Sequence, residues 1–303
     1  DYAGAEHIFR ATIADPATTE ANRVLLRVNL ADLLREMARE NEAEVVLNEA
    51  NRTSNASHQQ RISILIEKAE LTRDQRRWDE SIALWKDVGN LAEREHSTQL
   101  ESAYAGGLGE TWFSMGNYAR AAPLLRRSLE LLRSDPATPQ PQLATALSLM
   151  ARLYVQEDKL ALAQQALDEA VAKEEDALGR EHPQVAILME LSASIQSRRG
   201  DENEARKDLE RARSIMADHF GPDSTAVAGV CVGLGEVEQR AHHPAAAVAN
   251  YRAALEMLHR KGTDSVKLTT AIISRYAAAL KAMHKSDEAK ALLAHGASSL
   301  LEP

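Results

Sequence analysis

The residues that could carry out chemistry in this chain of 303 residues are few, and the stretch ALGREHPQVA, residues 177 to 186, gathers several of them. Arg180, Glu181 and His182 stand together there, and a histidine beside a carboxylate is a candidate acid–base pair. Moving 42 residues forward gives HFGPDSTAVA, residues 219 to 228, which keeps a glycine at Gly221 and Val227 and Ala228 but puts Ser224 in the place of His182. Moving 42 back gives DPATPQPQLA, which keeps Pro141 and Ala144 and puts Gln140 there. The frame recurs and the reactive residues do not, so the stretch reads as punctuation between helices. His242 and His243 are adjacent, in the slot that holds Gly116 and Asn117 in an earlier repeat. Neighbouring histidines on a turn do not easily face one metal, and no cysteine or carboxylate recurs beside them at ligand spacing. Cys231, the single cysteine, cannot form an internal disulfide, and its place two residues before Gly233 and four before Gly235 makes it a buried, inert thiol. The acidic run AKEEDALG, residues 172 to 179, reads as a solvated helix face. AGGLGE, residues 105 to 110, lies within a helix-period pattern and lacks the Lys-Ser/Thr of a phosphate-binding loop. Asn51 and Asn55 each open an N-x-S/T triplet, which matters only in a secreted eukaryotic protein. No catalytic residue, metal ligand or cofactor is expected, and the chain is read as a non-enzyme.

The elements that hold these residues are helices. Apolar residues make up 44% of the chain and aromatics only 4%, so the apolar share rests on Ala and Leu, with long Glu, Arg and Gln around them. These are helix formers, and strand formers are sparse, which predicts an all-α protein. A net charge of −9 argues against a broad nucleic-acid face. The charge is uneven: residues 241 to 303 hold eight Lys/Arg and five Asp/Glu, about +3, against about −12 for the rest. Neither an 18-residue apolar run nor a charged-then-apolar leader is visible, so no membrane span is expected.

A repeat emerges when the chain is anchored on Ala5, Ala43, Ser81, Ala121, Ala163, Ala205, Ala247 and Ala289, at spacings of 38, 38, 40, 42, 42, 42 and 42. Twelve residues before the second and later anchors stand Ala31, Ala69, Gly109, Ala151, Ala193, Gly235 and Ala277, all of them Ala or Gly. Four after the anchors the residue is large (Phe9, Leu47, Trp85, Leu125, Leu167, Leu209, Tyr251, Leu293), and seven after it is small in most repeats, ending at Gly296. Small residues on both helices of a hairpin let the backbones approach, and the large residue plugs the gap to the next hairpin. Such a hairpin cannot bury its apolar stripe alone; stacking does so. Gly179 and Gly221 are expected as left-handed helix ends, Pro183 and Pro222 follow them, and Asp223, Ser224, Thr263 and Asp264 are candidate caps for the next helix.

With its Leu-Gly, Trp, Gly-Asn-Tyr and Ala positions, GLGETWFSMGNYARAAPLLRRSL (residues 107 to 129) resembles tetratricopeptide repeats, and the 42-residue spacing with LGREHPQVA resembles the long-helix subtype of kinesin light chains and many bacterial regulators. The resemblance implies a right-handed α-solenoid of antiparallel helix hairpins, a single array over residues 1–303. It has one unpaired helix, about 1–14, then hairpins at about 17–55, 56–95, 97–134, 139–178, 182–219, 223–261 and 264–302. Because the first helix matches a second helix without its partner, further sequence upstream is expected.

The resemblance also implies a concave face made by the first helices. Its candidate partner-binding residues are Glu70 and Arg73 in the second hairpin, Glu110 and Phe113 in the third, Ser148 and Arg152 in the fourth, Glu190 and Arg198 in the fifth, and Glu236 and Arg240 in the sixth. The Lys/Asn carboxylate clamp of chaperone-binding members is missing, since Val28, Ile66, Gly106 and Ser148 occupy its slots; of an asparagine ladder only Asn29 stands near. Glu and Arg on neighbouring helices can equally pair with one another. The expected function is a protein-interaction scaffold binding a peptide or partner protein in the groove, as a module of a larger regulatory or signalling protein. The alternative is a sensor domain answering to a short peptide or small molecule. Self-association through exposed terminal helices stays open.

Overall fold

In the computed structural model, residues 2–53, 56–260 and 266–295 are described, and they form helices with no strand among them. Two compact units, Asp1–Thr138 and Pro139–Pro303, divide the chain. The first holds α1 (Tyr2–Ala14) and the pairs α2 (Glu20–Glu36) with α3 (Glu40–Asn51), α4 (His58–Asp74) with α5 (Trp78–Glu95), and α6 (Thr98–Ser114) with α7 (Tyr118–Ser134). The second holds α8 (Gln140–Gln156) with α9 (Leu160–Leu178), α10 (Pro183–Arg199) with α11 (Glu202–Phe220), α12 (Thr225–Arg240) with α13 (Pro244–Arg260), and α14 (Val266–Ala282) with α15 (Ser286–His295). Within the first unit, first helices also touch, α2 on α4 and α4 on α6; within the second, α10 touches α12 and α12 touches α14. The fold class is all-α, built of stacked helical hairpins.

The small-residue rule has a direct steric cause. The anchors from Ala43 to Ala289 and the Ala partners from Ala31 to Ala277 are buried. A Cβ built on Gly109 would lie 2.8 Å from Leu125 Cδ2, and one on Gly235 would lie 2.5 Å from Tyr251 Cε1. The large residue therefore covers the small one of its own hairpin. It also reaches the next: Trp85 of α5 would meet a Cβ on Gly107 of α6 at 2.0 Å, and Leu209 of α11 meets that of Gly233 on α12 at 3.2 Å. At the serine anchor, Ser81 Oγ donates to the Ala69 carbonyl at 2.8 Å, so the polar variant is satisfied across the same contact. The rule breaks at the last repeat, where Leu293 is half exposed and its neighbour Leu292 takes the core position. Gly296 lies outside the described residues.

Each hairpin turns through one residue of positive φ: Ala38, Arg76, Gly116, Asp158, Gly200, His242 and His284. His242 thus occupies the slot of Gly116, as its register implies. Gly179 and Gly221 differ from the expected left-handed helix ends. Their φ of +88° and +89° come with ψ of 157° and 151°, a region that only glycine enters readily. Ser224 caps α12 by accepting from Val227 N, and His182 caps α10 by accepting from Gln184 N at 3.2 Å. Asp223 instead pairs with Arg260 at 2.9 Å. The candidate caps Thr263 and Asp264, and Asn55, lie outside the described residues.

Candidate functional site

In the first unit the first-helix charges close on one another. Arg35 of α2 places its guanidinium against Asp32 at 2.6 Å, Glu70 at 2.8 Å, Glu67 at 3.1 Å and Asp74 at 3.1 Å. Burial opposes its charge, yet Glu70, Glu67 and Asp32 together hold its pKa above the ordinary arginine value. Burial, with Glu70 and Asp32 adding repulsion against the pull of Arg35, pushes the Glu67 carboxyl up to about 8. The Glu70 carboxyl is raised too, chiefly by burial. Asp32, Glu67 and Glu70 bring one oxygen each within 4.8 Å of one another, a spacing a cation could use; here the guanidinium of Arg35 stands among them. One step on, Arg73 bonds Asp74 at 3.0 Å and Glu110 of α6 at 2.5 Å. Phe113 is buried, its ring 5.2 Å from that of Tyr118 across the hairpin. Of the four candidates in this unit, three are thus joined in one ladder, Glu70–Arg35 and Arg73–Glu110, and the fourth packs inside.

The second unit is different. Glu190, Ser194 and Ser197 form one stripe of α10, and Gly233, Glu236, Val237 and Arg240 form a facing stripe of α12. Between them lies a cavity of about 120 Å³ with Leu209 of α11 at its floor. The spacings i, i+4, i+7 and i, i+3, i+4, i+7 keep each set on one side of its helix. Small residues at Ser194, Ser197 and Gly233 leave the space that larger ones would fill. Glu236 is held by Arg275 of α14 at 3.0 Å. Ser197 donates to Glu202 at 2.7 Å, and a hydroxyl that donates can still accept. Glu190 is half-buried, receives no hydrogen bond or ion pair from the described residues, and is pushed by burial up to about 7. The structure brings Glu190, Glu236 and Arg240 together. It leaves Arg198 outside, exposed and 3.9 Å from Asp158, and keeps Ser148, which donates to Thr145 O, and the half-buried Arg152 on α8.

Several participants escaped the sequence reading. Glu67 and Asp74 complete the Arg35 cluster, and their position on the face of α4 that meets α2 was the available signal. Ser194 and Ser197 follow Glu190 at helical spacing, a pattern visible only once a cavity gives it meaning. One expectation needs correction. Glu174, read as part of a solvated face, is buried with Oε2 lacking a partner among the described residues, and burial raises its carboxyl. His243 is an exposed turn residue, as its slot implies, and its Nδ1 lies 2.9 Å from Glu238 Oε2, which also receives Arg206. Burial raises the Cys231 thiol, in keeping with an inert group. A second, larger cavity of about 580 Å³ lies between α5 and α6, lined by polar groups including Lys86, Asn90, Glu93, His96 and Glu101. Among the described residues, no helix is long and apolar enough to cross a membrane.

Hairpins of this kind, locked by small residues at helix crossings, define a helical repeat protein. Residues 142–218 match the family model described as tetratricopeptide repeat. Nothing among the curated proteins matches it. Three solved structures share the fold. BtubC (BKLC) from P. vanneervenii is 19% identical with a TM-score of 0.62, over 74% of this chain and 91% of that one. A putative kinesin light chain from Podosopora anserina, with nearly identical TPR-like repeats, is 18% identical at 0.59, over 69% and 100%. A Rap protein complexed with competence and sporulation factor is 12% identical at 0.63, over 93% and 78%. Repeats of this type are generally non-enzymatic scaffolds that bind protein or peptide partners.

Proposed function

We propose that the chain is an interaction module whose second unit binds an extended peptide, or an extended segment of a partner protein, along the α10–α12 cleft, within a larger regulatory or signalling protein. The observation that carries this is the polar cavity of about 120 Å³ between two first helices, where half-buried Glu190 has no partner among the described residues while nearly every comparable charge in the first unit is paired internally. A buried polar group without a partner is costly, and a ligand that supplies one recovers that cost. That a Rap protein of like fold is complexed with competence and sporulation factor supports the reading. The register of eight anchors, taken as one array over residues 1–303, belongs to the same proposal, as does self-association through the terminal helices, where Ile8 and Leu293 are exposed. The sensor reading draws on the α5–α6 cavity, whose 580 Å³ falls in the range of small-molecule sites; its polar lining departs from their mostly apolar character, which places it second.

The test is selection of phage-displayed random heptapeptides on the immobilised protein, followed by calorimetric titration of synthetic versions. Glu236→Lys, which adds a cation to the cleft, is expected to weaken binding about tenfold, roughly 1.4 kcal/mol. Glu204→Lys on the outer helix α11, in an exposed pair with Lys207, is expected to stay within about twofold. The reverse ranking would place the interface on the second helices and overturn the proposal.

A further inference from the structure

The peptide-binding reading leaves open what chemistry the cleft selects, and the inference below rests on that reading. The cavity is small. Its 120 Å³ compares with roughly 30 Å³ for one water in the liquid, which is room for the end of a side chain and its immediate shell, not for a folded ligand. Its acceptors are concentrated on α10, where Glu190 stands one turn from Ser194 and two from Ser197. All three present oxygens. The two other carboxylates nearby are engaged, Glu236 with Arg275 at 3.0 Å and Glu202 with Ser197 at 2.7 Å.

We propose that the cleft takes the ammonium group of a peptide lysine, held by Glu190, with the hydroxyl oxygens of Ser194 and Ser197 as further acceptors. An ammonium carries three donors in a compact arrangement and needs acceptors on several sides. A guanidinium needs a planar fork, best met by free carboxylates in its plane, and only Glu190 is free to offer one. An anion would meet the Glu190 carboxylate. Arg240, across the cleft, is exposed, so water screens its charge far more than that of half-buried Glu190.

The heptapeptide selection is run in parallel on the wild-type protein and on Glu190→Gln, which keeps shape and removes charge; unchanged helicity by circular dichroism establishes folding. Lysine is expected to be enriched at one peptide position with the wild type and to lose that enrichment with Glu190→Gln. In titrations, replacing that lysine by norleucine should weaken binding about tenfold, and Ser194→Ala should weaken it a few-fold. Peptides that bind in the cleft without lysine, or whose lysine preference survives Glu190→Gln, overturn the inference and leave the binding function standing. Enrichment of no peptide above bare matrix contradicts both.

Discussion

At the residue scale, what matters is how much room each glycine and each charge has been given. Gly235 has none: the ring of Tyr251 stands 2.5 Å from where its Cβ would be, whereas Gly229 on the same helix has nothing within 4 Å. Gly235→Ala is expected to destabilise by about 1 to 3 kcal/mol, since overpacking outweighs the gain in helix propensity. Gly229→Ala is expected to stabilise by about 0.5 to 1 kcal/mol, because only propensity changes. Thermal melts of the two variants, shifted in opposite directions, check this; shifts of the same sign contradict it. The small positions at the helix crossings were readable here because a steric requirement leaves its mark on residue size. Whether a given charge is free was not readable. Glu110 and Glu190 both stand on first helices, yet one faces Arg73 and the other faces a cavity.

At the element scale, α2 and α4 are joined by a cluster with more negative than positive charge. Arg35 faces Asp32, Glu67, Glu70 and Asp74, so one carboxyl keeps its proton, and Glu67 does so up to about pH 8. In the unfolded chain that carboxyl titrates near 4.3 or so. Between those values the native state binds a proton that the unfolded state has lost. The associated stability is fully present below the unfolded pKa and disappears as pH rises through the folded one. Glu67→Gln removes this dependence. Relative to wild type, its melting temperature is expected to improve by a few degrees between pH 5 and pH 8.5, on the order of 1 kcal/mol for a domain of this size. A difference that does not change with pH, or one that falls, contradicts the account. The helices themselves were legible from Ala and Leu content and from capping residues such as Ser224. The conformation of Gly179 and Gly221 was not, because the glycine alone says that φ is positive and leaves ψ open.

At the scale of the whole molecule, the two units use the same hairpin differently. In the first, the first-helix charges are consumed in holding neighbouring helices together; in the second, small residues open a polar cleft whose wall carries a carboxyl with no partner among the described residues. Sequence periodicity treats these two cases alike, since it records which residues share a face and not which of them touch. The central claim is that a peptide lies between α10 and α12, and methyl NMR with a selected heptapeptide tests it most directly. Chemical-shift changes are predicted at Val232, Val237 and Leu209 beside the cleft, with Leu162 on the outer helix α9 and Leu293 on α15 unmoved. Changes confined to Leu162, Leu293 or other outer-helix methyls, with Val237 and Leu209 still, would contradict it.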